Sequence, residues 1–354
     1  MKVINKYIAL QMLKSTSIAL LFLLSLALLI TFTDELGDLG EGQYGLLQIF
    51  QYLMLIAPRN FYELMPAAAL LGGLISLGGM ANNFELTAMR AAGISRFQII
   101  TAALRVGVLL MLVSLLVSEF VAPRAEQAAQ LLKFSAKNEQ IALRTSHGFW
   151  TRDKNVYLNI REILNSSELH DVSIYEMTDD NTMKFSTHAD EAHYINKQWQ
   201  LSGVKKTTIN KNSVEVSTSD SALMGSLLDP EILDVIVVKP ERLSISGLAS
   251  YVSFLENNGQ DADKFIVALT NKLIRPFVIL VMLLISIPFV LGVQRAGSIG
   301  TRILIGTLIG VGFNLIDRLF GNVGVLYGLN PVFAASLPFL LALAGSIFTI
   351  RRMD

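Results

Sequence analysis

Glu85, Arg90 and Arg96 lie in a short polar interval, Asn82-Asn83-Phe84-Glu85-Leu86-Thr87-Ala88-Met89-Arg90-Ala91-Ala92-Gly93-Ile94-Ser95-Arg96-Phe97-Gln98, between two long apolar stretches. One acid and two bases suit charge pairing with another surface rather than bond-breaking chemistry. Leu86, Met89 and Arg90 fall at i, i+3 and i+4, and Gly93 offers a stop, so the spacing predicts an amphipathic helix over about 82–98 with Leu86 and Met89 exposed for docking. A loop that merely follows the charge bias of membrane proteins is the plainer reading.

A second set of charges borders apolar stretches. Asn314, Asp317 and Arg318 interrupt the end of one, while Lys272 and Arg275 precede Pro276 near the start of another. A charge in hydrocarbon costs several kcal/mol unless it faces a cavity or a partner. Asn314, Asp317 and Arg318 therefore either line a polar cavity or gate, or make an interfacial ion pair that anchors a helix end. Lys272 and Arg275 either meet a phosphate at headgroup depth or snorkel to the interface.

Covalent and metal chemistry find little support. No GxxxxGK(S/T) sequence occurs, so the chain has no P-loop for nucleotide phosphates. Without cysteine it has no disulfide, thiol nucleophile or thiolate ligand. His188-Ala189-Asp190-Glu191-Ala192-His193 carries metal-friendly residue types at a spacing that matches no zinc motif, and reads as a solvated strand. No nucleophile, base and orienting acid stand together. No cofactor, no metal and no catalytic residue is expected.

The elements that hold these residues follow from composition. Apolar residues make up 52% of the 354 positions and charged ones only 16%, which places the chain among integral membrane proteins. Of its 58 charged residues, 35 fall between Pro123 and Phe265, so a membrane domain is interrupted by a water-soluble one. Formal net charge is +0, which argues against nucleic-acid binding. The basic N-terminus precedes an apolar stretch without a small-residue cleavage pattern, the mark of a retained anchor.

Spans are expected at about 15–32, 61–81, 103–121, 265–290, 299–320 and 332–350, each adequate for a hydrocarbon core of about 30 Å. Ala68, Gly72 and Ser76 put small residues at i, i+4 and i+8 of the second span, inviting close approach of another helix. Gly306 and Gly310 form a GxxxG in the fifth, either a packing seam or a lipid-facing surface.

Between the third and fourth spans, alternating runs such as Val156-Tyr157-Leu158-Asn159-Ile160-Arg161 predict short strands in an antiparallel sandwich or roll. Helices are expected at its ends, over 126–142 and 244–257. The architecture is helical and membrane-embedded in a 3+3 arrangement: 1–123 with three spans, 124–264 as the β-domain, and 265–354 with three more. Lys2, Lys6, Lys14, Arg90, Arg96, Arg105, Arg295, Arg302, Arg351 and Arg352 fall on one side of six spans, which makes that side and both termini cytoplasmic.

The chain resembles the YjgP/YjgQ permease family, the LptF and LptG subunits that extract lipopolysaccharide from the bacterial inner membrane. The resemblance rests on Pro66-Ala67-Ala68-Ala69-Leu70-Leu71-Gly72, on Glu85-Leu86-x-x-Met89-x-Ala91-x-Gly93-x-Ser95-Arg96, and on Val121-Ala122-Pro123. Leu243-Ser244-Ile245-Ser246-Gly247-Leu248, Tyr251 and Gly259-Gln260-Asp261-Ala262 are similar to the LptG branch rather than the LptF branch.

The resemblance implies an ABC-transporter permease in the inner membrane, working with an LptF-like permease, an LptB-like ATPase dimer and an LptC/LptA-like periplasmic bridge. It implies a periplasmic, jellyroll-like β-domain and a coupling helix at Glu85, Leu86, Met89, Arg90 and Arg96 seated in a groove of the ATPase. It also implies gates at the first and fifth spans, the latter bearing Asn314, Asp317 and Arg318. One departure concerns the outer end of the first span. The LptG branch often carries basic residues there, whereas this chain has Asp34, Glu35, Asp38 and Glu41. Phosphate contacts are then expected from Arg59, Arg124, Lys133, Lys137, Lys272 and Arg275, from the partner permease, or through a divalent cation on the acids.

A non-transporting adaptor that scaffolds a periplasmic assembly is the alternative, and it would not need a coupling helix. Mechanotransmitting ABC proteins fit less well because they place their large outer domain after the first span.

Overall fold

The computed structural model describes residues 2–137, 149–153, 155–165, 167–178, 182–195, 198–209, 213–224, 243–291 and 299–352. It divides into two compact units, one of residues 1–38, 49–129 and 263–354, the other of residues 39–48 and 130–262.

Among the described residues, six helices are long and apolar enough to cross a membrane. They are built on α1 (Lys2–Glu35), α2 (Leu46–Asn82), α4 (Arg96–Leu116), α7 (Asp263–Leu291), α8 (Ile299–Leu326) and α9 (Pro331–Arg351); α3 (Glu85–Ala91), α5 (Ala122–Lys137) and α6 (Ile245–Asn257) are the other described α-helices. The second span was expected from residue 61, yet α2 begins fifteen residues earlier. Hydropathy misses that extension because its helical signal is periodic rather than uniformly apolar. Ile49, Tyr52, Leu53 and Ile56 are buried at i, i+3, i+4 and i+7. At 37 residues α2 is about 55 Å long, well beyond a hydrocarbon core of about 30 Å.

Between α4 and α5 the chain stays helical through a π-helical turn, Val117–Val121. Pro123 follows directly; its ring would clash with a carbonyl of the preceding turn, and a wider turn accommodates it. The helix expected over 126–142 is therefore the continuation of the third span as far as Lys137, with 138–142 outside the described residues.

The first unit closes around small residues. Ala68, Gly72 and Ser76 are all buried on α2, as their spacing predicted. A Cβ on Gly72 would lie 2.5 Å from the Thr16 Cα of α1, and one on Gly306 would lie 2.6 Å from Leu74. The GxxxG of α8 is thus a seam against α2. Around these approaches Met12, Leu70, Leu74, Leu77, Ile99 and Leu283 form a continuous core. Helices in lipid gain little hydrophobic drive from meeting, so close packing of this kind carries their association.

In the second unit, β1 (Phe149–Asp153), β2 (Val156–Asn165), β3 (Glu168–Met177), β4 (Met183–Ile195), β5 (Gln198–Ile209) and β6 (Val214–Met224) form one antiparallel sheet in sequence order. The inserted β-domain is as expected. Among the described strands, however, neighbours in the sheet are neighbours in the chain, a meander without the crossovers of a jellyroll. Ile160, Val172, Ile174, Ala189, Trp199 and Leu201 make its core, with Phe254 of α6 packed against it. Ser244 caps α6 through its hydroxyl, which accepts from the Gly247 N–H. In the same unit, residues 41–44 grip the end of α5. Lys137 pairs with Glu41 at 2.8 Å, and Gly42 takes a positive φ where a Cβ would lie 2.6 Å from the Lys137 carbonyl.

Gly72→Val is expected to lower stability by about 2 kcal/mol, the cost of overpacking a closed seam. Gly79→Val, at a position where a Cβ meets nothing within 4 Å, is expected to leave it unchanged. Thermal unfolding in detergent compares the two.

Candidate functional site

The polar interval does not form one helix over 82–98. Gly93 takes φ 85° and closes α3 with the Gly93 N–H bonded to the Arg90 carbonyl at 3.0 Å and the Ile94 N–H to Met89 at 3.0 Å. Ser95 then starts α4 with a capping box shared with Gln98. The four residues between α3 and α4 thus carry both a stop, which Gly93 signalled, and a start at Ser95 that the apolar spacing alone does not reveal.

Leu86 is buried, 3% exposed, and Met89 packs against the same core. The expected exposure is therefore corrected, for Leu86 in full and for the half-buried Met89 in part: at seven residues α3 is too short to hold itself, and it spends its apolar face on attachment. Phe84 and Phe97 are the exposed apolar groups, at 74% and 72%. Phe84 also adopts φ 61°, a left-handed conformation that costs a non-glycine residue about 1–2 kcal/mol. Arg90 is exposed and Arg96 half-buried. Between the aromatics, the Tyr7 hydroxyl of α1 donates to Glu85 Oε2 at 2.9 Å, and Asn83 donates to Oε1 at 3.4 Å.

The second site lies within the helical unit. A cavity of about 300 Å³ is bordered by Leu23 of α1, Glu63 and Leu71 of α2, Arg275 of α7, and Asn314 and Arg318 of α8. Asp317 faces an adjoining recess with Asn271, and Glu63, Arg275 and Asn314 border both spaces. The structure therefore gathers Asn314, Asp317, Arg318 and Arg275, which the sequence offered as separate groups, and adds Glu63. Arg59-x-x-x-Glu63, an i, i+4 pair on α2, is the sequence signal that was available for it. The flanking helices α1 and α8 bury only 17% and 11% of their most apolar windows, against 72% for α2, so both leave broad apolar faces uncovered beside the cavity.

Most of the expected phosphate ligands are already engaged. Arg59 lies 3.5 Å from Glu126, which is 1% exposed, and 3.9 Å from Glu63. Lys137 holds Glu41, and Lys133 sits over the Tyr44 ring at 5.9 Å. Lys272 is 7% exposed with its ammonium 5.7 Å from the Tyr62 ring centroid. Arg124 is exposed, and Arg275 borders the cavity. The histidine run lies in β4, where the alternation breaks: Ala189 and Ala192 both enter the sheet's core, and His188 and His193, next to them, stay half-buried outside it. His188 meets Ser173 at 3.2 Å and His193 meets Glu191 at 3.5 Å.

Residues 6–352 match the family described as Lipopolysaccharide export system permease LptF/LptG. The chain is similar to the Lipopolysaccharide export system permease protein LptG of Escherichia coli (strain K12), 32% identical over 96% of this chain and 97% of that protein. It is also similar to the protein of the same name from Haemophilus influenzae, 30% identical over 96% of this chain and 95% of that protein.

Arg59→Ala leaves Glu126 buried without its guanidinium, and is expected to cost about 3–5 kcal/mol. Replacing both, as Arg59→Met with Glu126→Leu, is expected to recover most of that loss. A double-mutant cycle on detergent unfolding midpoints checks the pair.

Proposed function

The chain belongs to the LptF/LptG family of lipopolysaccharide export permeases, and from that premise we propose how it works within the export system. It is a multi-pass inner-membrane subunit with cytoplasmic termini, and it moves lipopolysaccharide using energy from a separate LptB-like ATPase dimer. The observation that carries this reading is the charged cavity between α1, α2, α7 and α8, walled on two sides by helices that leave apolar faces uncovered.

An LptF-like permease covers those faces, so that the cavity is completed between two permeases. Acyl chains meet the apolar faces, while Arg275 and Arg318 draw the anionic headgroup. Glu63 and Asp317 offset those cations when the cavity holds no lipid, which lowers the cost of keeping them inside the membrane. Arg124 is the remaining exposed basic residue among the six considered for phosphate.

The hairpin around α3 receives the ATPase. Phe84 and Phe97 supply rigid apolar anchors of the kind that dominate interfaces, and Glu85 and Arg90 supply charge that sets register. Leu86 and Met89 support them from below. Arg96 stands at the start of α4, where movement of the hairpin enters a membrane-spanning helix. The β-domain, periplasmic in this arrangement, hands lipid to an LptC/LptA-like bridge. Val214, Val216 and Leu223, exposed along β6 at the end of the described sheet, suit sheet-to-sheet contact.

Phe84→Ala with Phe97→Ala is expected to abolish recovery of the ATPase with the affinity-purified permease while leaving the unfolding midpoint unchanged. Leu86→Ala is expected to lower that midpoint, by about 3 kcal/mol of stability. Arg275→Ala is expected to keep the ATPase bound and to cut crosslinking of lipopolysaccharide inside the cavity. Retention of the ATPase by the double phenylalanine variant would overturn the docking surface, and undiminished crosslinking in Arg275→Ala would remove that residue from the lipid site.

A further inference from the structure

Helix α1 reaches from the hairpin to the cavity as one uninterrupted element of 34 residues. Near its start, Tyr7 is 43% exposed and its hydroxyl donates to Glu85, a residue 78 positions away in the chain. One turn on, Ile8 and Met12 are buried at 1% and 0% in the core that also holds Leu86 and Ile99. The hydrogen bond therefore sits at the rim of a packed joint between α1, α3 and α4. Farther along, Thr16 lies directly against Gly72 of α2, its Oγ1, Cα and N closing on the glycine. Leu23 then borders the cavity.

We propose that Tyr7 is a positioning residue that ties Glu85 to α1, so that displacement of α3 is delivered along α1 to the cavity wall at Leu23. The assignment rests on the proposed docking of an ATPase against α3.

Three features of the geometry support it. The distance from Tyr7 to Leu23 is about 24 Å along one helix, and a helix resists compression far better than a loop. The Thr16–Gly72 approach is a contact about which α1 can tilt, because only the backbone and short side chain of Thr16 face the bare Gly72 there and no long side chain absorbs the motion. Finally, α3 has no other polar tie of this reach among the hydrogen bonds described for it: Asn83, the other partner of Glu85, lies in the link before α3 itself. Buried Leu86 holds α3 against the core, but an apolar contact is non-directional, whereas the phenol fixes the carboxylate in direction as well as distance.

The same bond orients the docking group. With one carboxylate oxygen taken by Tyr7 and the other by Asn83, Glu85 is presented to a cationic partner in a single rotamer. A cation that draws on this carboxylate strengthens its grip on α3 without needing to break the tie to α1, since a carboxylate oxygen accepts more than one hydrogen bond.

The test uses the complete transporter reconstituted in proteoliposomes, with ATP hydrolysis and lipopolysaccharide release measured together. Tyr7→Phe retains the ring and removes the donor. It is expected to keep hydrolysis and assembly while lowering lipid released per ATP about fivefold, the scale of one exposed hydrogen bond to a charge. Tyr7→Gln, whose amide still donates, is expected to recover part of the ratio. Spin labels on exposed Leu21 of α1 and Leu308 of α8 report the cavity wall directly. Their separation is expected to change with nucleotide in the parent and to stay fixed in Tyr7→Phe.

An unchanged release ratio in Tyr7→Phe, or hydrolysis and release falling in equal proportion, would overturn the relay. So would a nucleotide-dependent distance change that persists in that variant. Failure of the parent complex to bind the ATPase or to release lipid would instead overturn the docking reading, so the two failures are told apart by the parent alone.

Discussion

A charge inside hydrocarbon must find its opposite or a cavity, and much of the helical unit is arranged around that requirement. Arg59 and Glu126 meet across two helices, Glu63 reaches both Arg59 and the cavity, and Arg275 lines the space with Arg318. These groups could not lie on lipid-facing surfaces. They compel α2, α7 and α8 to assemble with their polar sides inward, and the volume left between them is the cavity. Fold and cavity therefore have one cause: the charges that need shelter also line the space left between the helices.

The same economy governs the hairpin. A seven-residue helix has no stability of its own, so α3 must be fastened to something larger. Leu86, with the half-buried Met89, provides the fastening, and Phe84, Phe97 and Arg90 are left as outward groups. The strained backbone at Phe84 is what turns its ring outward at the tight link between α2 and α3. Attachment and exposure are divided between the two faces of one short element.

The β-domain answers to water instead of lipid. Its residues alternate between the core around Ile160, Ile174 and Trp199 and a polar surface, with a break in β4 where Ala189 and Ala192 both reach the core. His188 and His193 are engaged there by different neighbours, Ser173 and Glu191.

Several features were legible in the sequence for direct physical reasons. Long apolar runs can only be spans, a charge-rich interval between them can only be a soluble insertion, and alternating runs within it read as strands. Small residues at Ala68, Gly72 and Ser76 announced a helix seam, and Gly93 announced the end of α3, because close approach and positive φ each demand a particular residue type. Other features depended on contacts between distant segments. Sequence spacing put Leu86 and Met89 on one face of a helix but not that this face meets the core, since that is decided by where α1 and α4 lie. Nor does proximity in the chain reveal that Tyr7 meets Glu85, that Arg59 meets Glu126, or that Asp317 and Arg318 look into different spaces. The sequence determined what each segment must be surrounded by; only the packing of helices decided which charges became partners and which were left to line the cavity.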